Sequence, residues 1–136
     1  MTNLIEQFRS LTKQEKAYLV KYPHHLLKLK NCKDKAIAET ERIFGISGDN
    51  DESDAFRHCF WAAMLSRELG YEHALEITSA HESSPSSDPE EKAMDLFNNS
   101  IGLNIGQDMS NDDLLSQRCI LNLLDGNLKV INPKNK

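Results

Sequence analysis

The chain lacks the means for a disulfide framework. Its three cysteines, Cys32, Cys59 and Cys119, are odd in number and widely spaced. They form no CxxC pair, so neither a stapled secreted scaffold nor a zinc knuckle is indicated. No apolar run approaches the ~20 residues of a membrane span. The opening MTNLIEQFRS has neither the basic start, the apolar middle nor the small-residue cleavage site of a signal peptide. The expectation is a protein that is cytoplasmic when synthesised, with export by machinery that reads other signals left open. A basic surplus is missing too. Lys and Arg number 16 against 21 Asp and Glu, for a net charge of −5. That balance argues against a non-specific nucleic-acid binder, which carries a basic patch. Internal repeats and low-complexity tracts are also absent.

What is present is helical periodicity over 136 residues, the size of one domain with a real core. Leu4, Ile5 and Phe8 recur at helical spacing. Thr12-Lys-Gln-Glu15 is a capping box that opens a second helix, and Pro23 ends it or opens the next. Residues 24–44 read as one helix, or two meeting near Asn31-Cys32. Leu27, Ala36, Ile37, Ile43 and Phe44 are placed toward the core, and Gly45 is a helix stop. Asp51 or Ser53 caps a helix running to Leu69, with Gly70 after it. Tyr71 to His81 forms a shorter helix. Ser83-Ser-Pro-Ser-Ser87 is a flexible loop, either a lid or a connector. Asp88-Pro89-Glu90-Glu91 starts another helix with an N-cap, Pro at N1 and carboxylates in the first turn. Ser110-Asn-Asp-Asp113 caps the last helix, and Gly126 ends it. Leu128 to Ile131 suits a short extended tail, and the final NPKNK is expected to fray. The fold class that follows is all-α: one compact bundle of about six or seven helices around a central helix over residues 53–69. Residues 1–45 supply N-terminal helices, 51–106 the motif-bearing core, and 110–136 the final helix and tail.

The central helix carries a contradiction. It is apolar nearly all round, yet its first turns hold Asp54, Arg57 and His58. At 100° per residue, Asp54, His58, Trp61 and Leu65 share one stripe. Buried ionisable groups cost free energy unless paired or metal-bound. Two more places put reactive groups near a core: His81-Glu82, at a helix end facing the flexible loop, and Asp95-Leu-Phe-Asn98-Asn99-Ser-Ile-Gly102. In the latter, Asp95, Asn98, Asn99 and Gly102 form a polar stripe beside an apolar one of Met94, Phe97 and Ile101. Gly102, without a side chain, allows close approach by a helix or a ligand.

Should these stripes converge, they make a kit for acid–base hydrolysis. His58, His81, Glu82 and Asp95 are the candidate catalytic groups, for proton transfer and for orienting it. Asp54, Arg57, Trp61, Asn98 and Asn99 are candidates for holding substrate or developing charge. The donors His58, His81, Glu82 and Asp95 also suit a divalent metal ion, although no HExxH-type spacing is present. The competing reading is a non-catalytic helical interaction protein whose polar cluster fixes helix packing. His24, His25 and His73 read as surface residues, and Cys59 as core.

The three-part pattern, Asp54-Ala-Phe-Arg-His-Cys-Phe-Trp61, Ala80-His-Glu82 and Met94-Asp-Leu-Phe-Asn-Asn99 with Gly102, resembles an uncharacterised bacterial domain. That domain occurs at the C-terminal ends of Rhs-type and other polymorphic toxins and in small stand-alone bacterial proteins. The resemblance spans roughly residues 50–106. It implies a toxin or effector domain with a site at these residues, and with them a cognate immunity protein or a delivery system as partner.

Overall fold

The computed structural model describes residues 4–134, the side chains at positions 4, 5 and 7 excepted. It contains α1 (Leu4–Arg9), α2 (Lys13–Lys21), α3 (Leu26–Phe44), α4 (Glu52–Leu69), α5 (Tyr71–His81), α6 (Pro89–Ile105) and α7 (Asp112–Leu124). Short 3-10 turns at Pro23–His25 and Gly106–Asp108 follow α2 and α6. No strand occurs among the described residues, and no described helix is long and apolar enough to cross a membrane.

The helix ends are written locally. Thr12 accepts from the Glu15 amide while the Glu15 carboxylate accepts from the Thr12 amide, completing the capping box. Asp51, Asp88 and Asn111 cap α4, α6 and α7 through their side chains. Gly45 and Gly70 adopt positive φ after α3 and α4, which glycine does without steric cost. α3 is continuous through Asn31-Cys32. The first pattern's Leu4 and Ile5 lie outside the described side chains; its Phe8 is largely exposed.

α4 is the axis. Ala55, Phe56, Cys59, Phe60, Ala62, Ala63, Met64 and Leu65 are all buried on it, and α3, α5, α6 and α7 pack around them. The closest neighbour is α6. A Cβ added at Gly102 would sit 2.1 Å from the Cys59 carbonyl oxygen, and one at Gly106 would sit 2.1 Å from that of Ala63. The two glycines, four apart on one face, let the backbones touch. Ser66 Oγ donates to the Leu103 carbonyl across the same seam (2.9 Å).

This seam splits the apolar stripe of α6: Met94 is fully buried, and the polar stripe shares the buried side. Asn98, Asn99 and Gly102 are buried against α4, whereas Phe97 is 44% exposed. Leu27 is likewise 65% exposed rather than core, its place taken by Leu26 and Leu29. The expected fraying of the tail does not hold through Lys134. Leu128 is buried, the Asn132 amide donates to Asn50 O (2.8 Å), and the Lys134 amide donates to Glu52 Oε1 (2.8 Å). Residues 135–136 lie outside the described residues.

His24, His25 and His73 are not independent surface residues. With Tyr18 and Tyr22 they stack where α2, the Pro23 turn and α5 meet. The ring of His25 lies 4.3 Å from that of His24 and 5.3 Å from those of Tyr22 and His73. Tyr18 Oη and His25 Nδ1 are 2.7 Å apart. Burial first, then His24, His73 and Lys28, lower the His25 pKa from 6.5. The unfolded chain therefore takes up this proton at higher pH than the folded one, and stability falls as pH drops below about 6.5. Thermal unfolding at pH 7 and pH 5.5 checks this histidine's share: the wild-type midpoint should fall relative to that of His25→Gln as the pH drops.

Candidate functional site

The loop before α4 sets its first turns. Asn50 takes a left-handed conformation (φ 62°), which Asn tolerates, and points its amide at Asp54 Oδ2 (2.7 Å). Arg57 spans back to Asp54 Oδ1 (2.5 Å), Ser47 Oγ (2.5 Å) and Gly48 O (3.0 Å). Asp54 thereby stays aligned toward His58, one turn on. His58 Nδ1 lies 3.0 Å from Asp54 Oδ1 and 3.1 Å from the Asp54 carbonyl.

The other imidazole nitrogen, His58 Nε2, faces two carboxylates from other helices. Glu82 Oε2, at the C-cap of α5, is 3.6 Å away; Asp95 Oδ2, two turns into α6, is 3.5 Å away. Both are too long for good hydrogen bonds. Asn99, one turn beyond Asp95, donates its Nδ2 to Glu82 Oε2 (3.3 Å). Two buried oxygens here, Asp95 Oδ1 and Asn99 Oδ1, have no hydrogen-bond partner. Buried acceptors are nearly always satisfied, so the pair marks a place made for a donor or a cation.

His81 arrives differently. Thr12 Oγ1 donates to the Ala80 carbonyl (2.7 Å), tying α2 to the end of α5. That brings the buried Glu15, already used in the capping box, within 2.9 Å of His81 Nδ1. The His81 side chain is 42% exposed, and its ring stacks 5.0 Å from that of Trp61. One ligand atom each from His58, His81 and Glu82 lies within 4.8 Å of the others; the same holds for Asp54, His58 and Asp95.

The electrostatics follow from this crowding. Burial opposes charge on His58, but the hydrogen bond to Asp54 and the negative charges of Glu82, Asp95 and Asp54 prevail, lifting its pKa to about 10. Burial likewise opposes charge on Asp54 and on Glu82, yet His58 holds both below the usual carboxylate range. Burial dominates at Asp95; with Glu82 and Asp54 beside it, its pKa rises to about 7 despite the opposing pull of His58. Three carboxylates and one imidazole thus share the centre, with Arg57 the nearest permanent cation.

Of the residues singled out by sequence, Asp54, Arg57, His58, Glu82, Asp95 and Asn99 form one connected cluster, with His81 and Trp61 on its edge. Asn98 stands apart. Its Nδ2 donates to Lys129 O (2.9 Å) and its Oδ1 accepts from Lys129 N (2.8 Å), so both ends of the amide hold the C-terminal tail. Asn98→Ala is expected to lower stability by about 2 kcal/mol, two backbone-directed hydrogen bonds at about 1 kcal/mol each. Denaturant titration measures the loss; the geometry around His58 should survive it. Glu15 and the Ser47–Asn50 loop belong to the site's surroundings and escaped the motif reading. The capping box did place Glu15 correctly, but nothing local announces a partner 66 residues on. Cys59 is core, as expected, its Sγ donating to Cys119 Sγ at 3.1 Å.

The fold and the site define an all-α domain with a half-buried histidine–carboxylate centre under its central helix. The model of a domain of unknown function, DUF6973, matches residues 16–130, and the chain belongs to that family. Neither a curated protein nor a solved structure matches the chain.

Proposed function

We propose that the cluster is a divalent-metal centre serving hydrolysis, with His58, His81 and Glu82 as the protein ligands and Asp95 beside them. The observation that carries this reading is the spacing around Nε2. Two ligand atoms about 2.0–2.2 Å from a metal ion at the tetrahedral angle stand roughly 3.3–3.6 Å apart; His58 Nε2 and Glu82 Oε2 stand 3.6 Å apart, and one ligand atom each of His58, His81 and Glu82 lies within 4.8 Å of the others. Asp54 on Nδ1 is the partner that fixes the tautomer and orientation of a metal-binding histidine. The nitrogen and oxygen donors suit zinc or manganese better than a soft metal. The orphaned Asp95 and Asn99 oxygens fit a bound ion and its water.

When bound, such an ion supplies a nucleophilic water and polarises the bond to be cut. The chain's own groups do the rest. Asn99 Oδ1 accepts a hydrogen from the attacking water and orients it. The water oxygen bonds to the electrophilic centre, and the bond to the leaving group breaks. The water proton passes to Asp95 Oδ1 and then to the leaving group. Arg57, locked by Asp54 and the Ser47 loop, adds fixed positive charge nearby.

The toxin motif resemblance supports an effector role for this hydrolase, with an immunity protein or a delivery system as partner. The test combines metal analysis with growth. Purified protein should carry about one zinc or manganese ion per chain, removable by chelator. Expression in the bacterial cytoplasm or periplasm should slow growth. Metal-free protein that takes up neither ion overturns the centre; a metal-loaded protein without effect on growth in either compartment overturns the effector role alone.

A further inference from the structure

A cavity of 180 Å³ runs between α2, α3, α4 and α5 and ends at the cluster. Its walls are apolar, built from Leu11, Leu19, Leu29, Ile37, Trp61 and Ile77. Polar groups occur at its two ends. Arg57, His58 and the Glu15–His81 pair lie where α2, α4 and α5 meet, and Lys30 and Lys33 lie on α3. Glu82 and Asp95 are not among its lining groups, whereas His58 and His81 are. Two of the three proposed ligands thus line the cavity, as a substrate pocket and its reactive centre require.

We propose that this cavity receives the apolar part of the substrate, an acyl group of about six to eight carbons, and presents its carbonyl carbon at the His58 edge. The size follows by comparison: an apolar cavity of ~150 Å³ stays dry and holds a benzene ring, and this one is slightly larger. A polar substrate would leave its hydrogen-bonding groups unpaired along the leucine and isoleucine walls. Permanent positive charge from Arg57, which lines the cavity beside His58, suits the carbonyl oxygen of an ester or amide and the carboxylate product of its cleavage. The proposal rests on the hydrolytic reading for what happens to the acyl bond, but not for the occupancy of the cavity. In the cleavage, water oxygen bonds to the acyl carbon, the acyl–oxygen or acyl–nitrogen bond breaks, and the leaving group departs with the water proton.

Titration calorimetry with acetate, butyrate, hexanoate, octanoate and dodecanoate tests occupancy, since these are the products such a reaction releases. Affinity should rise about fourfold per methylene, the value of burying one CH₂, and level off near octanoate. Ile37→Trp, which fills the cavity from α3, should weaken octanoate binding about tenfold or more while leaving metal stoichiometry unchanged; circular dichroism confirms that it folds. Lys33→Ala should leave octanoate affinity unchanged, because the carboxylate lies beside Arg57. A flat chain-length series, or a folded Ile37→Trp that binds octanoate as well as wild type, overturns the pocket. A clear loss in Lys33→Ala overturns the orientation. Octanoate binding in a protein that takes up no metal would uphold the pocket and overturn the hydrolytic centre, so the two failures are told apart.

Discussion

Gly102→Ala is expected to be among the most damaging single-methyl additions this fold can suffer. Helix propensity alone favours alanine by about 1 kcal/mol at a helix interior. The structure outweighs it. The new Cβ would lie 2.1 Å from the Cys59 carbonyl oxygen, 2.9 Å from the carbonyl carbon and 3.0 Å from Ala62 Cβ. Two of those three atoms are backbone of the central helix, which has packed neighbours on every side and cannot yield. Helix α6 must back away by about 1 Å, and close-packed interiors do not take such a shift without voids. The net cost should be about 3 kcal/mol, the upper range for overpacking, seen as a fall of about 10 °C in the thermal midpoint. The same shift carries Asp95 and Asn99 away from His58, so metal uptake should be lost beyond what unfolding explains. Gly45→Ala is the control. Gly45 has φ 79° but nothing within 4 Å of an added Cβ. It should cost about 1 kcal/mol from backbone strain alone and leave metal uptake untouched. A Gly102→Ala protein with the wild-type midpoint would mean that α4 and α6 are not in backbone contact.

The helices were legible because their signals are local. The capping box at Thr12, the caps at Asp51, Asp88 and Asn111 and the stop at Gly45 each involve residues a turn apart. The all-α class and the central place of α4 followed from the same kind of pattern. Which face each helix buries was harder. On α6, hydrophobicity favours Phe97 facing inward, but the backbone contact at Gly102 and Gly106 dictates the face, and Asn98 and Asn99 turn in with it. The sign lay in the G-x-x-x-G spacing rather than in the apolar residues. Leu27 lies nine residues before Ala36, half a turn out of phase on one continuous helix, so Leu26 and Leu29 face the core in its place. The convergence of Asp54, His58, Glu82, Asp95 and Asn99 was suggested by residue type. The pairings of His81 with Glu15 and of Asn98 with Lys129 were not, because they link segments 66 and 31 residues apart with no local signature.

Asp54→Asn and His58→Ala should separate the metal ligand from the group that aims it. Removing the His58 imidazole deletes the one nitrogen ligand on the central helix and should abolish metal uptake, and with it any effect of expression on growth. Asp54→Asn keeps the side chain's shape but not its charge. The amide oxygen can still accept from Nδ1, while the loss of the carboxylate weakens the basicity it confers on Nε2. Loss of such an outer partner typically costs about 10–100-fold in metal affinity. Asp54→Asn should therefore bind the same single ion that much more weakly, measured by competition with a chelating dye, and recover function at higher metal concentration. It should also lose some stability, because Arg57 forfeits its buried partner at 2.5 Å. His58→Ala should not recover at any metal concentration. The graded response is what distinguishes an aimed ligand from a structural network. If Asp54→Asn bound the ion as tightly as wild type, the imidazole would not be held through Nδ1. If His58→Ala bound it too, the ion would sit somewhere other than beside His81 and Glu82.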